Sequence, residues 1–295
     1  MKTIALTAPS SLAGSMIYNV LKDKYRFVLI GQSNDELVSL EHVYGESSKQ
    51  KSVVFDLSDL YLDYAAGFPN MTAGLKAKKI IEEIGEIDAI INCASIIKPY
   101  ISQDPFKALF INAGLPHVLS HYYGDRLIHI ATDCVFDGLS GAPYNENSLH
   151  HPTDAYGFSR SLGEPVRRSL VLRASLVGPE IEGSDSLVSW LKKNEGRAIQ
   201  GFTNHVWNGL TTREFALICH EIISHRDQYS KTGLFHLFSS AITKYEMLVK
   251  FKEKYKINVN IKPTASTPID RRLKTIYDVC KKLKISSFDQ MLEEL

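Results

Sequence analysis

The chain has 295 residues, with 34 lysines and arginines against 33 aspartates and glutamates, a formal net charge of +1. That length buries a sizeable core in one large α/β domain or two smaller lobes, and the near-neutral balance gives no global field to recruit nucleic acid or an anionic membrane. No apolar stretch reaches the roughly 20 residues that cross a bilayer. The four cysteines, Cys93, Cys134, Cys219 and Cys280, form no CxxC pair, and no histidines cluster with them, so neither a disulfide framework nor a metal site is expected. A reducing, cytoplasmic setting follows.

The opening MKTIALTAPSSLAG reads as a first strand rather than a targeting segment. Strands are expected at Thr3–Thr7, Phe27–Gly31, Ser52–Phe55, Ala89–Cys93, Leu127–Ala131, Leu170–Ala174 and Leu234–Phe238. Several are nearly continuous runs of Val, Ile and Leu, as in parallel strands covered on both faces. Between them, helices are expected at Leu12–Leu21, Leu75–Ile84, Pro105–Tyr122 and Tyr156–Arg168. The alternation predicts a Rossmann-type doubly wound parallel sheet over 1–174, with 205–240 returning to it. Beyond Ser175 the pattern loosens around Pro179, Gly183, Gly201 and Gly209, then resumes with helices at Thr212–Ser224 and Lys244–Tyr255. Arg271–Leu295 reads as two short helices broken near Ser286, and 175–295 as a smaller substrate-binding lobe. Ligands of such sheets bind beyond the strands' carboxyl ends.

The residues that carry chemistry lie in HIATDCVFDG and DAYGFSRSLGE. Thr132 ends a strand, Tyr156 begins a helix, and Arg160 follows one turn later on the same face. A phenol with an ordinary pKa near ~10 is a poor acid–base catalyst at neutral pH, and a cation one turn away favours its phenolate. The threonine hydroxyl can hold a carbonyl oxygen while the tyrosine delivers a proton to it.

The stretch from Ile130 to Glu164 resembles the dTDP-4-dehydrorhamnose reductases among the extended short-chain dehydrogenases. The matching residues are Ala131-Thr132-Asp133, Val135-Phe136-Asp137-Gly138, Ala142-Pro143-Tyr144, Glu146, Pro152, Tyr156-Gly157, Ser159 and Gly163-Glu164. Further likeness lies in Ile91-Asn92-Cys93-Ala94, Ile111-Asn112-Ala113, Leu172-Arg173, 201–212 and Asp270-Arg271. The resemblance implies reduction of a nucleotide-linked 4-keto-6-deoxy sugar on UDP or dTDP, without a metal, and leaves a homodimer open. Tyr156 then resembles the general acid, Thr132 its partner at the carbonyl oxygen, and Arg160 the family's lysine. Val135, Phe136, Asn204, Trp207 and Arg271 would line the sugar-nucleotide site, with Trp207 equally able to be a packing residue. Asp56, Leu57, Cys93, Ala94, Ser95 and Asn112 would line the cofactor site.

The dinucleotide loop departs from GxxGxxG. It reads Ala8-Pro9-Ser10-Ser11-Leu12-Ala13-Gly14 and keeps only the last glycine. Ala8 is tolerable if its φ is negative, whereas the Ser11 side chain must occupy phosphate space or hydrogen-bond to phosphate. Ser10, Ser11, Leu12 and Gly14 still open a helix whose free N–H groups suit an anion. Arg160 stays charged but cannot relay a proton as lysine can. The second strand ends Leu29-Ile30-Gly31 without an acid for a ribose diol, which favours NADP(H) over NAD(H). Cys134 resembles the cysteine of bifunctional 3,5-epimerase/4-reductases, with His205 as its candidate partner; the alternative is a small buried hydrophobe. A non-catalytic reading stays open, because the resemblance extends to the regulatory β subunit of methionine adenosyltransferase.

Overall fold

The computed structural model describes residues 1–45, 47–60, 75–166, 168–181, 183 and 185–295. Its centre is a parallel sheet of β1 (Thr3–Thr7), β2 (Arg26–Gly31), β3 (Gln50–Val54), β4 (Ala89–Asn92), β5 (Leu127–Ala131), β6 (Leu170–Arg173) and β11 (Gly233–His236). Their spatial order is β11-β6-β5-β4-β1-β2-β3. The order in which strands are added reverses between β1 and β4, so the carboxyl edge of the sheet opens a crevice there. Every residue of β4, β5 and β6 is buried, as the apolar runs require. Each buried Ile, Leu or Val contributes roughly 1.5–3 kcal/mol.

One face of the sheet carries α1 (Leu12–Leu21), which packs on α8 (Thr212–Ser224) in a core shared by Ile17, Leu21, Phe215 and Ile222. The other face carries α3 (Leu75–Ile84), α4 (Pro105–Leu109) and α5 (Leu115–Tyr123). A π-helical turn, Phe110–Gly114, interrupts the single helix expected over 105–122. α2 (Asn34–Tyr44) has a weak apolar pattern because only Leu37 and Leu40 are buried. α6 (Ala155–Gly163) stops well short of Arg168, because Pro165 has no N–H to continue it; Arg167 lies outside the described residues.

The remaining segment adds β7 (Leu176–Val177), α7 (Leu187–Lys193), β8 (Ala198–Phe202), β9 (His205–Trp207) and β10 (Leu210–Thr211). β12 (Ile242–Thr243), α9 (Lys244–Tyr255), β13 (Asn260–Thr264) and β14 (Ile269–Asp270) follow. β8 pairs with β13, and β9 lies between β12 and β14. The chain ends in α10 (Val279–Leu283) and α11 (Phe288–Glu294). No helix among the described residues is long and apolar enough to cross a membrane.

A buried polar knot joins β6 to β11 and the 144–150 loop. Arg173 is 0% exposed. It donates to Glu164 through Nε (3.1 Å) and Nη2, to His236 Nε2 at 2.5 Å and to His150 Nε2 at 2.7 Å. Its guanidinium lies 5.0 Å above the Phe136 ring, which stacks on Tyr144 at 4.2 Å. Burial, then Arg173, pushes the His236 imidazole down to about 4 from an ordinary 6.5. Unfolding restores the ordinary value, so between those pH values the unfolded chain binds more protons. Stability is therefore expected to fall as pH drops through that window, by roughly 1.4 kcal/mol per unit from this group. Urea unfolding at pH values from about 7 to about 5 checks this, and a flat profile would contradict it.

Candidate active site

The loop after β1 keeps the glycine conformation without the glycine. Ala8 takes a φ of +46°, so the condition for tolerating an alanine here is not met, at a cost of about 1–2 kcal/mol. The reason is the close crossing beneath it: a Cβ on Gly14 would sit 2.3 Å from the Ala8 carbonyl oxygen. The Ser11 side chain bonds within its own loop. Its hydroxyl donates to the Ala8 carbonyl at 2.7 Å and accepts from Gly14 N at 3.1 Å, capping α1. Ala8→Gly should stabilise the fold by about 1 kcal/mol in urea unfolding; a loss would show that the loop is unstrained.

No acid ends β2, but Glu36 reaches back from the first turn of α2. Its carboxylate accepts from Gln32 N at 2.6 Å, Ser10 Oγ at 2.8 Å and Ser10 N at 3.4 Å. The signal was Ser33-Asn34-Asp35-Glu36, a capping pattern whose Glu turns toward the preceding backbone. Ser10, Gln32, Glu36, Asp56, Leu57, Ala94, Ser95 and Lys107 help line a cavity of about 230 Å³. Burial works to raise the Asp56 carboxyl, but hydrogen bonds from Lys107 (2.9 Å) and Ser58 (2.7 Å) outweigh it and hold it below the usual range.

Ala94, Ser95 and Ile96, in the loop after β4, form one side of the cavity. The Ser95 and Thr132 hydroxyls both lie beside the Tyr156 phenol. Burial pushes the phenol above its ordinary value, Arg160 opposes that rise, and the two hydroxyls oppose it further. Tyr156 therefore holds its proton at neutral pH, as a proton donor must. Thr132 caps the turn Asp133–Val135, accepting from Cys134 N at 3.2 Å. Gly157 lets α6 lie against that turn, since a Cβ there would sit 2.2 Å from the Cys134 carbonyl oxygen. Asp154 caps α6 and pairs with Lys98 at 2.6 Å, tying the loop after β4 to the tyrosine's helix.

Arg160 is 4% exposed and donates to the Ile130 carbonyl. Its Nε and Nη1 have no hydrogen-bond partner among the described residues. A buried guanidinium left partly unsatisfied is costly unless a ligand completes it. Beside Tyr156, the hydroxyls of a nicotinamide ribose would do so, and the residues present fit a dinucleotide cofactor.

Several expected site residues act otherwise. Asn112 is 0% exposed and cannot touch a cofactor. Its amide instead clamps Ile96 N (2.8 Å), Ile96 O (2.9 Å), Ser95 Oγ (3.3 Å) and Ser159 Oγ (3.0 Å), which positions Ser95. Cys93 is buried, and its N–H donates to Thr7 Oγ1. The side chains of Val135 and Phe136 are 0% exposed and belong to the core. Trp207, 4% exposed, packs on Phe288 rather than lining a cleft. The Asn204 side chain is engaged with both backbone groups of Ser266.

Cys134 and His205 are not brought together. His205 stacks on Phe202 at 4.3 Å and turns its Nε2 to Ser266 Oγ at 2.8 Å. Beside Cys134 stands Arg271, Nη1 to Sγ 3.9 Å. Lys244 also faces Cys134 and Asp133. Burial, then Asp133, raises the Cys134 thiol despite Lys98 and Arg271, which leaves a poor base for proton abstraction. Among the described residues no His, Cys, Asp or Glu group is placed to hold a metal ion.

The model of the RmlD substrate binding domain family matches residues 64–275. The chain belongs to that family. In sequence, the chain is 26% identical over 202 residues to "Methionine adenosyltransferase 2 subunit beta" of Xenopus laevis, covering 61% of this chain and 58% of that one. It is 37% identical over 79 residues to "dTDP-4-keto-6-deoxy-D-glucose reductase" of Streptomyces niveus, covering 25% and 27%. The matches thus span less than two thirds of these relatives' own length. In structure, the Bacillus anthracis dTDP-4-dehydrorhamnose reductase in complex with NADP aligns with a TM-score of 0.68 at 16% identity, covering 99% and 98%. The Bordetella bronchiseptica enzyme WbmG in complex with NAD and UDP aligns with a TM-score of 0.69 at 14% identity, covering 98% and 91%. These likenesses establish the Rossmann-type fold of this RmlD-family chain.

Proposed function

We propose that this RmlD-family protein reduces the 4-keto group of a nucleotide-linked 4-keto-6-deoxy hexose, using NAD(H) or NADP(H). The sugar is of the rhamnose or N-acetylrhamnosamine type, carried on UDP or dTDP for polysaccharide or glycan precursor synthesis. The observation that carries this reading is the Tyr156 phenol, protonated and beside the Thr132 and Ser95 hydroxyls, with the partly unsatisfied Arg160 guanidinium on the same helix. When bound, the nicotinamide supplies a hydride to the carbonyl carbon. Thr132 and Ser95 hold the carbonyl oxygen, and Tyr156 gives that oxygen its proton. Arg160 stabilises the phenolate left behind, which then takes a proton from solvent. Arg271 and Lys244, on the smaller-lobe side, suit the diphosphate of the sugar nucleotide. The proposal stops short of 3,5-epimerisation, because Cys134 keeps its proton and His205 is engaged elsewhere.

The test is consumption of reduced nicotinamide cofactor with dTDP- and UDP-linked 4-keto-6-deoxy sugars. Oxidation dependent on the sugar is expected, and none with any pairing overturns the reading. The Xenopus laevis match and the strained Ala8 favour a second reading, a sugar-nucleotide binder without turnover. That reading predicts ligand binding with no oxidation of cofactor.

A further inference from the structure

We infer that Glu36 makes the adenosine end of the cofactor site selective for a free ribose diol, so that the protein takes NAD(H) in preference to NADP(H). The inference rests on the reductase reading for the presence of a dinucleotide. The cavity of about 230 Å³ runs across the strand ends, from Asp56 after β3, past Glu36 and Ser10, to Ser95 after β4. Ser95 lies beside the Tyr156 phenol, which puts the reacting ring of a dinucleotide at that end. The adenosine ribose then falls between the ends of β2 and β3, where Glu36 stands.

The Glu36 carboxylate is fixed there. One oxygen accepts from Gln32 N at 2.6 Å, and the other from Ser10 Oγ at 2.8 Å and Ser10 N at 3.4 Å. A carboxylate offers about four acceptor positions, so three donors leave room for a hydroxyl to donate. A ribose diol has such protons. A 2′-phosphate instead brings negative charge against a carboxylate that cannot swing away without releasing the loop. Lys107 is the one cation among the described residues lining this cavity, and it is already paired with Asp56 at 2.9 Å. No cation there is free to offset the phosphate.

The test is a titration of the full chain with NADH and NADPH, followed by nicotinamide fluorescence. Adenosine 5′-monophosphate and its 2′-phosphorylated analogue serve as competitors that lack the nicotinamide end. NADH and the unphosphorylated competitor should bind at least about tenfold tighter than their 2′-phosphorylated counterparts. Glu36→Gln removes the charge but keeps an acceptor oxygen, and should narrow that ratio about tenfold, mainly by strengthening the phosphorylated ligands. Should that variant fail to fold, added salt on the natural chain should narrow the ratio by screening the repulsion. Equal or tighter NADPH binding overturns the inference and leaves the reductase reading intact. A ratio that neither Glu36→Gln nor salt moves overturns the role given to Glu36, and binding of neither dinucleotide overturns the whole inference. NADH preference without turnover of any keto sugar sinks the reductase reading alone.

Discussion

Replacing Tyr156 with phenylalanine is expected to lower the turnover of the 4-keto sugar by roughly 10²–10⁴-fold, the usual contribution of a positioned general acid. The ring stays, so packing around α6 should survive, and what is lost is one oxygen that meets Thr132 and Ser95. Binding of the sugar nucleotide and of the dinucleotide should change little, because other groups hold them. Steady-state kinetics should therefore show a fall in kcat with KM nearly unchanged. A variant as fast as the natural chain would mean that another group supplies the proton, and the site would have to be reassigned.

The largest stability loss is expected at Arg173. It is wholly buried and bonded to Glu164, His236 and His150. Arg173→Met leaves the Glu164 carboxylate, 6% exposed, without its cation. Removing one member of a buried pair costs about 3–5 kcal/mol, a large share of the roughly 5–15 kcal/mol that holds a domain folded. Urea unfolding measures this directly. The double variant Arg173→Met with Glu164→Gln should recover part of the loss, since no charge is then stranded. If the double variant is less stable than the single one by a similar further amount, the two residues act independently and the knot is misread.

The sheet was legible because β4, β5 and β6 are nearly all apolar, broken only by Asn92, His129 and Arg173, and alternate with helical stretches, as doubly covered parallel strands do. Tyr156, Thr132 and Arg160 were singled out through the resemblance of the stretch Ile130 to Glu164, since a tyrosine and a cation one turn apart are by themselves a weak signal. The burial of Phe136 and Val135 was not legible: both follow Thr132 closely, and nothing local says that the chain turns inward to stack on Tyr144 and Arg173. Trp207 was undecided for the same reason, since its partner Phe288 comes from a distant part of the chain. Glu36 escaped notice because its helix has a weak apolar face and because it acts on the end of β2 from outside the strand. Arg160 reads in sequence as a substituted lysine. Its burial, with two nitrogens unpartnered among the described residues, was not legible there.

The central claim is hydride and proton addition to a sugar carbonyl at Tyr156. The measurement that tests it most directly uses a reduced nicotinamide cofactor deuterated at its transferable position, incubated with the protein and a dTDP- or UDP-linked 4-keto-6-deoxy hexose. Magnetic resonance of the product should then show one deuterium on C4 of the sugar, with a new hydroxyl on that carbon. Recovery of the keto sugar unchanged beside unoxidised cofactor, or a product without deuterium on C4, would contradict the account.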